Sequence, residues 1–318
     1  MRPRCSFVVP IYGDGALAEA FCAEFERVMT AYLGGPIVGR AELIFVDDGS
    51  PDDSARVVRG LLARYPFARL VELSRNFGQH VALTCGYAHA AGEVVGMLNV
   101  DMEDPPDQIP LLLDVIAKGE HDFVVGLRTE RSGSGRNRLS SLAFHWLLNK
   151  LTGSDVPLNC ATLRVMSRRF TDAYNALTEK SRYLPGLEVW LGFPRAYVPI
   201  RHEPRRDGRS SYDLRRRTRM AVESIISFSD LPLRFLAWTG LVVAAIGFAL
   251  ALALVVSKLF FVDYRPGYTS TVAIIVFLGG VQILVVGVAA LYLGRILREV
   301  QGRPLYVVKE RHNFGDAA

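Results

Sequence analysis

The residues Asn99-Val100-Asp101-Met102-Glu103-Asp104-Pro105-Pro106 follow directly on the apolar run 94–98. An apolar run that ends in clustered oxygen side chains reads as a buried parallel strand, and open α/β sheets bind ligands at that carboxyl edge. Asn99, Asp101 and Glu103 alternate, so an extended segment would point all three the same way. Three hard oxygen ligands suit Mg²⁺ or Mn²⁺, which usually keep water and a substrate diphosphate as their other ligands. The same acids also fit the start of a helix near Pro106, because carboxylates ahead of a proline are common N-terminal signals. The cluster alone does not choose between the two.

Strand and helix signals alternate along the first part of the chain. Residues 6–11 read as a short apolar strand, and 16–33 carries Leu17, Phe21, Phe25, Val28 and Tyr32 at helical spacing. A second strand, 43–46, ends at Asp47-Asp48-Gly49-Ser50. Ser50 and Pro51, with Asp52 and Asp53 behind, supply an N-cap, a proline at the first helical position and acids in the first turn. Strands at 70–73, 94–98 and 123–126 continue the pattern. Such alternation implies a mostly parallel sheet with helices on both faces. Two later segments are amphipathic helices. In 139–151 the stripe is Leu139, Leu142, Ala143, Trp146, Leu147 and Leu151, and either a core or a membrane surface could take it. The second, with Leu214, Ala221, Val222, Ile225 and Phe228, starts among Arg215, Arg216, Arg217 and Arg219. It joins an apolar run and is expected to lie in a membrane interface.

The chain has 318 residues, half of them hydrophobic, and a mean hydropathy of +0.20. That length suits one large domain with an appendage. Two uncharged runs, 235–256 and 272–293, are each long enough to span a bilayer as a helix. Arginines and lysines gather before the first and after the second, while the loop between carries only Lys258 and Arg265 at its ends. The positive-inside rule then places both termini in the cytoplasm of a multi-pass protein of the cell (inner) membrane. The N-terminus reads as lacking a signal peptide, since 6–11 is short and contains Pro10. The pI of about 9.1 reflects membrane-flanking arginines, and no pattern for nucleic-acid binding is present. Cys5, Cys22, Cys85 and Cys160 form no C-x-x-C pair and read as ordinary thiols of a reducing compartment.

Val8-Val9-Pro10-Ile11-Tyr12, then 46–52, then 74–79 (Ser-Arg-Asn-Phe-Gly-Gln), the acidic cluster, Val125-Gly126-Leu127-Arg128 and the two apolar runs occur in one order. In that order the chain resembles the inverting, GT-A-type glycosyltransferases that use nucleotide sugars. It is most similar to the branch that loads one sugar onto a polyprenyl phosphate, such as dolichyl-phosphate mannose synthases and undecaprenyl-phosphate glycosyltransferases. The resemblance implies a Rossmann-like, mostly parallel α/β catalytic domain over 1–212. A juxtamembrane amphipathic helix (213–233), two transmembrane helices (234–294) and a cytoplasmic tail (295–318) would follow.

The resemblance also implies roles. Pro10, Tyr12, Asp47, Asp48 and Val100 would bind the nucleotide of a UDP-, dTDP- or GDP-linked sugar. Asn99, Asp101 and Glu103 would hold a Mg or Mn divalent cation on its diphosphate, and Arg128 would reach a phosphate. Arg138, Ser141, Arg205, Arg209, Ser210 and Tyr212 would bind the lipid phosphate, and Asp101, Arg128 and Arg205 would be the catalytic set. The segment 205–212 is similar to the acceptor loop R-x-x-G-x-S-K-Y, with Ser211 where lysine is usual. The usual metal pattern D-x-D-x-Q is Asn99-x-Asp101-x-Glu103 here, which keeps two negative charges but moves one by four residues. Thr162 stands where some relatives carry an acid, and Tyr12-Gly13-Asp14 replaces the common Y-N-E. Self-association is a further expectation for a membrane-embedded relative.

The chemistry agrees with these placements. The acceptor phosphate is already an anion near neutral pH, so little general-base help is needed. What is needed is relief of repulsion between two anions and stabilisation of the leaving diphosphate. His80, His145 and His202 lack partners at metal spacing and read as packing or surface residues. A different class of protein is also compatible with one short motif. Gly13-x-Gly15-x-x-Ala18 after a strand matches the dinucleotide fingerprint of a membrane-anchored NAD-dependent oxidoreductase.

Overall fold

The computed structural model describes residues 4–129, 157, 159–180, 182, 184–203 and 267–314, with scattered helical positions between 238 and 260. The expected helices at 139–151 and 213–233 lie outside the described residues, as does most of the expected span 235–256.

One eight-stranded sheet carries the first unit of the chain. Its strands are β1 (Cys5–Ile11), β2 (Ala41–Asp47), β3 (Ala68–Leu73), β4 (Val94–Met97), β5 (Phe123–Arg128), β6 (Cys160–Ser167), β7 (Arg195–Ile200) and β8 (Val308–His312). They lie in the order β7-β5-β6-β4-β1-β2-β3-β8. The pairs β1/β2, β1/β4, β2/β3 and β5/β7 are parallel, and β6 and β8 run against their neighbours. The expected mostly parallel sheet is therefore present, with β6 and β8 as its reversed strands.

Alternation along β1 explains the two helical layers. Phe7, Val9 and Ile11 belong to the core shared with helix α1 (Ala18–Leu33), where Phe21 stacks on Phe25 while Phe7 meets Phe25, and Phe45 meets Phe21, edge to face. Val8 points the other way, against helix α3 (Gln79–His89). A Cβ on Gly86 there would stand 2.2 Å from a Val8 methyl, so only glycine lets the helix lie this close. Helix α2 (Ser54–Leu61) follows β2, and α4 (Ile109–Ile116) follows the acidic loop through a 3₁₀ turn at Pro106–Gln108. Helices α5 (Arg168–Asn175) and α6 (Leu184–Trp190) follow β6.

Three expectations are corrected. Helix α2 starts at Ser54, not after Ser50, because the Ser50 hydroxyl and amide are engaged by Asp47. The acidic segment is not extended. Val100 and Asp101 lie in a turn and Met102 adopts a left-handed φ of 56°, so the alternation of Asn99, Asp101 and Glu103 does not set their direction. Finally, the presumed tail is not outside the catalytic unit: Pro304–Ala318 belongs to it, and Val308–His312 forms β8 on the β3 edge.

The second unit, Arg217–Arg303, contains the helix Tyr268–Val300. Within it Leu278–Val300 is 23 residues long with a hydropathy of 1.9, the one helix among the described residues long and apolar enough to cross a membrane. Among the described residues its apolar side chains are not buried: Ile283 is 76% and Val286 67% exposed.

Candidate active site

The carboxyl ends of β1 and β2 meet at two turns. Asp47 accepts hydrogen bonds from the Ser50 amide (3.2 Å) and hydroxyl. Asp48 accepts from the amides of Phe77 (2.7 Å) and Gly78 (2.8 Å), which fixes the loop after β3 against the β2 turn. Gly49 makes this approach possible. It has φ +67°, and a Cβ there would lie 2.4 Å from the Arg75 carbonyl carbon. Burial pushes both carboxyls above the ordinary aspartate range, and their hydrogen bonds oppose it. Pro10 is half-buried at the end of β1, and the Tyr12 ring is 54% exposed beside it. An exposed aromatic ring next to two anchored acids is a platform for a planar, hydrogen-bonding ligand.

The dinucleotide reading of Gly13 and Gly15 finds no support here. The fingerprint needs free backbone N–H groups facing a pyrophosphate. Instead the Tyr12 amide donates to Asp14 (3.0 Å), that of Gly13 to the Ser50 hydroxyl (3.1 Å) and that of Gly15 to the Ser54 hydroxyl (3.0 Å).

The acidic loop after β4 is clamped from three strands. The Gln79 amide donates to Asn99 Oδ1 (3.2 Å) from the start of α3, and the Glu103 amide donates to Asp101 Oδ1 (3.3 Å). Val100 is buried beneath them. Asp104, a residue sequence reasoning left without a role, is the fixed point. It takes Arg128 Nε (2.8 Å) and Nη2 (3.0 Å), and the Thr162 amide (2.7 Å) and hydroxyl (2.6 Å). Arg128 Nη2 also lies 3.6 Å from Glu103, so the guanidinium spans two acids of the loop. His202, expected as a packing or surface residue, places Nδ1 3.0 Å from the Glu103 carbonyl and 3.5 Å from Asp104. The Glu203 amide donates to the same carbonyl (2.9 Å). Behind Thr162, Arg164 donates to the Ala161 and Thr162 carbonyls and to buried Glu188.

The structure thus brings Asn99, Asp101, Glu103 and Arg128 to one loop, and Pro10, Tyr12, Asp47 and Asp48 to the neighbouring turns. Arg138, Ser141, Arg205, Arg209, Ser210 and Tyr212 lie outside the described residues. Gln79, Asp104, Thr162 and His202 are the site neighbours that sequence reasoning missed. The signals were indirect: Gln79 closes the motif 74–79, Asp104 stands in the acidic cluster, and Thr162 is a departure from the family pattern.

Burial alone would raise the Asp104 carboxyl, but Arg128 and Thr162 outweigh it and hold the group below the usual aspartate range. A depressed acid stabilises the fold above its unfolded pKa and loses that contribution as pH falls through the folded value. Asp104→Asn should therefore cost up to about 3 kcal/mol at neutral pH, because Arg128 then keeps only its 3.6 Å approach to Glu103. The cost should shrink at acidic pH. Denaturant titrations of both proteins from neutral pH down to the acid limit would check this.

The sequence model of the family described as Glycosyl transferase family 2 matches residues 6–174, which hold both aspartate turns, the acidic loop and Arg128. The chain belongs to that family. It is a glycosyltransferase with the α/β fold described above. This glycosyltransferase is 32% identical over 311 residues to an uncharacterized glycosyltransferase of Synechocystis, covering 98% of this chain and 96% of that one. It is also 32% identical over 313 residues to the SfII prophage-derived bactoprenol glucosyl transferase of Shigella flexneri, covering 97% and 98%. Among solved structures, it is similar to the glucosyl-3-phosphoglycerate synthase of Mycobacterium tuberculosis, solved with Mn²⁺, UDP-glucose and phosphoglyceric acid. There the TM-score is 0.46 and the identity 21%, over 71% of this chain and 78% of that one.

Proposed function

We propose that this glycosyltransferase moves one sugar from a nucleotide-sugar donor to the phosphate of a polyprenyl lipid, with inversion, at the cytoplasmic face of a membrane. The observation that carries the reading is the extent of the likeness. The Shigella protein, named a bactoprenol glucosyl transferase, is matched across 97% of this chain, through the apolar C-terminal segment as well as the catalytic unit. The exposed apolar helix Leu278–Val300 supports the membrane part. A second span at 235–256, with both termini cytoplasmic, completes the proposed topology.

Pro10, Tyr12, Asp47 and Asp48 would bind base and ribose. Asn99, Asp101 and Glu103 offer only hard oxygen donors, on the one loop that leaves the carboxyl edge of β4, and that set fits Mg²⁺ or Mn²⁺. A divalent cation there would supply charge that stabilises the departing diphosphate. Arg128, aimed by its two bonds to Asp104, would face a phosphate with its remaining N–H groups. Arg138, Ser141, Arg205, Arg209, Ser210 and Tyr212 would take the acceptor phosphate. The acceptor is already ionised, so its oxygen attacks the anomeric carbon as the diphosphate leaves from the opposite side, and no covalent enzyme intermediate forms.

Titration of the purified protein with UDP, dTDP and GDP, each with and without Mn²⁺, tests the donor half of this reading. One nucleoside diphosphate should bind and tighten with the ion, and NADH should not bind. Binding of NADH in place of every nucleoside diphosphate would overturn it. For the acceptor half, Arg205→Ala should lower transfer to lipid about 10²-fold while nucleotide affinity stays near normal. An equal loss of nucleotide binding would show that 205–212 is not the acceptor loop.

A further inference from the structure

The segment that follows the helix Tyr268–Val300 returns to the catalytic sheet beside the two aspartate turns. Strand β8 pairs antiparallel with β3, from Leu70 opposite His312 to Leu73 opposite Val308, and the Ser74 amide donates to the Val307 carbonyl (2.9 Å). Ser74 opens the loop whose Phe77 and Gly78 amides hold Asp48. Just ahead of the strand, the half-buried Tyr306 hydroxyl lies near enough to the Cys85 thiol on α3, the helix that this loop leads into, for the two groups to raise and lower each other's acidity. The far end is tied as well, by Asn313 Nδ2 to the Ala68 carbonyl (2.6 Å) and by Arg69 over the Phe314 ring.

Glu72 is the centre of the seam. It lies in register opposite Asp47 on one side and Glu310 on the other, and is 2% exposed. His312 Nε2 stands 2.9 Å from it, Lys309 Nζ 3.5 Å, and Arg59 donates to it from α2. Glu72, Glu310 and His312 also bring three ligand atoms together as a metal site would. Arg59 and Lys309 already neutralise the same carboxylates, so the group reads as an ionic clasp between β3 and β8.

We infer that the segment 304–314 is a positioning element for the donor nucleotide: by holding the end of β3 it sets the loop 74–78, and through that loop Asp48. The inference rests on the donor site proposed above. It assigns to the chain beyond the last apolar helix a part in donor binding and none in acceptor binding.

The test uses the full-length protein in detergent with UDP and Mn²⁺ as the probe (or whichever nucleoside diphosphate the wild type binds). The variants are Tyr306→Phe combined with His312→Ala, and the same pair with His312→Gln, which keeps a donor near the Nε2 position. Losing the His312 contact to Glu72 together with the Tyr306 hydroxyl beside Cys85 should weaken nucleotide binding about tenfold. The KM for undecaprenyl phosphate should stay within about twofold, and the glutamine variant should recover the part of the loss that belongs to His312. Amide exchange at Phe77 and Gly78 should quicken in the alanine variant while the β1 and β2 amides stay protected. Unchanged nucleotide affinity would overturn the inference, as would parallel losses in donor and acceptor constants or exchange that quickens across the whole sheet. A wild type that binds no nucleoside diphosphate would overturn the donor site itself, which separates the two failures.

Discussion

Asp101→Asn is expected to lower the rate of sugar transfer by about 10²–10³-fold, the scale on which one removed electrostatic contact to a developing charge reads out. Asp101 is the acid that both the sequence pattern and the turn after β4 place in the loop with Asn99 and Glu103. A hard dication is held chiefly by carboxylates, so Glu103→Gln should raise the Mn²⁺ concentration needed for half-maximal rate. Adding Asn99→Asp to that variant should recover part of the activity, because the charge returns to the same turn. Asp101→Asn should not be rescued in this way. Initial rates against metal concentration for the single and double variants decide the matter. A silent Glu103→Gln would confine the proposed metal site to Asp101 and leave Glu103 as a partner of Arg128.

Arg128→Ala should damage both chemistry and fold. Its guanidinium neutralises Asp104, whose side chain is 1% exposed, so removing it leaves a buried carboxylate without its cation. The expected destabilisation is about 3–5 kcal/mol. Transfer should fall about 10²-fold or more if the same group faces a phosphate. Arg128→Lys keeps the charge but not the two-pronged geometry, and should recover stability only in part. The double variant Arg128→Leu with Asp104→Asn separates the roles, since no charge is then left buried. Its melting temperature should rise above that of Arg128→Ala while its rate remains low. Recovery of both together would reduce Arg128 to a structural residue.

What the sequence made legible was local. The apolar strands β1 to β5 and the acids at their ends are written in contiguous residues, and so are the helical spacing of α1 and the proline that opens the turn into α4. What it concealed depends on distant partners. Ser50 looks like a helix cap because its neighbours suit one, but Asp47 competes for the same hydroxyl and amide. Asn99, Asp101 and Glu103 look extended until Met102 takes a left-handed turn. Thr162 and His202 reach the site from the ends of β6 and β7, many residues away. Strand β8 was the hardest to see. Val-Lys-Glu-Arg-His is short and charged, the composition that protects a sheet edge from unwanted pairing, and it reads equally well as a basic flank to a membrane span.

The most direct measurement is the mass of the lipid product. Protein in membranes or detergent would be incubated with undecaprenyl phosphate, Mn²⁺ and each of a panel of UDP-, dTDP- and GDP-sugars, and the lipids extracted. One donor should yield undecaprenyl phosphate heavier by a single sugar residue, with no second addition, and Asp101→Asn should yield none. Recovery of unmodified lipid with every donor, while the same preparation transfers sugar to a water-soluble acceptor, would contradict the account.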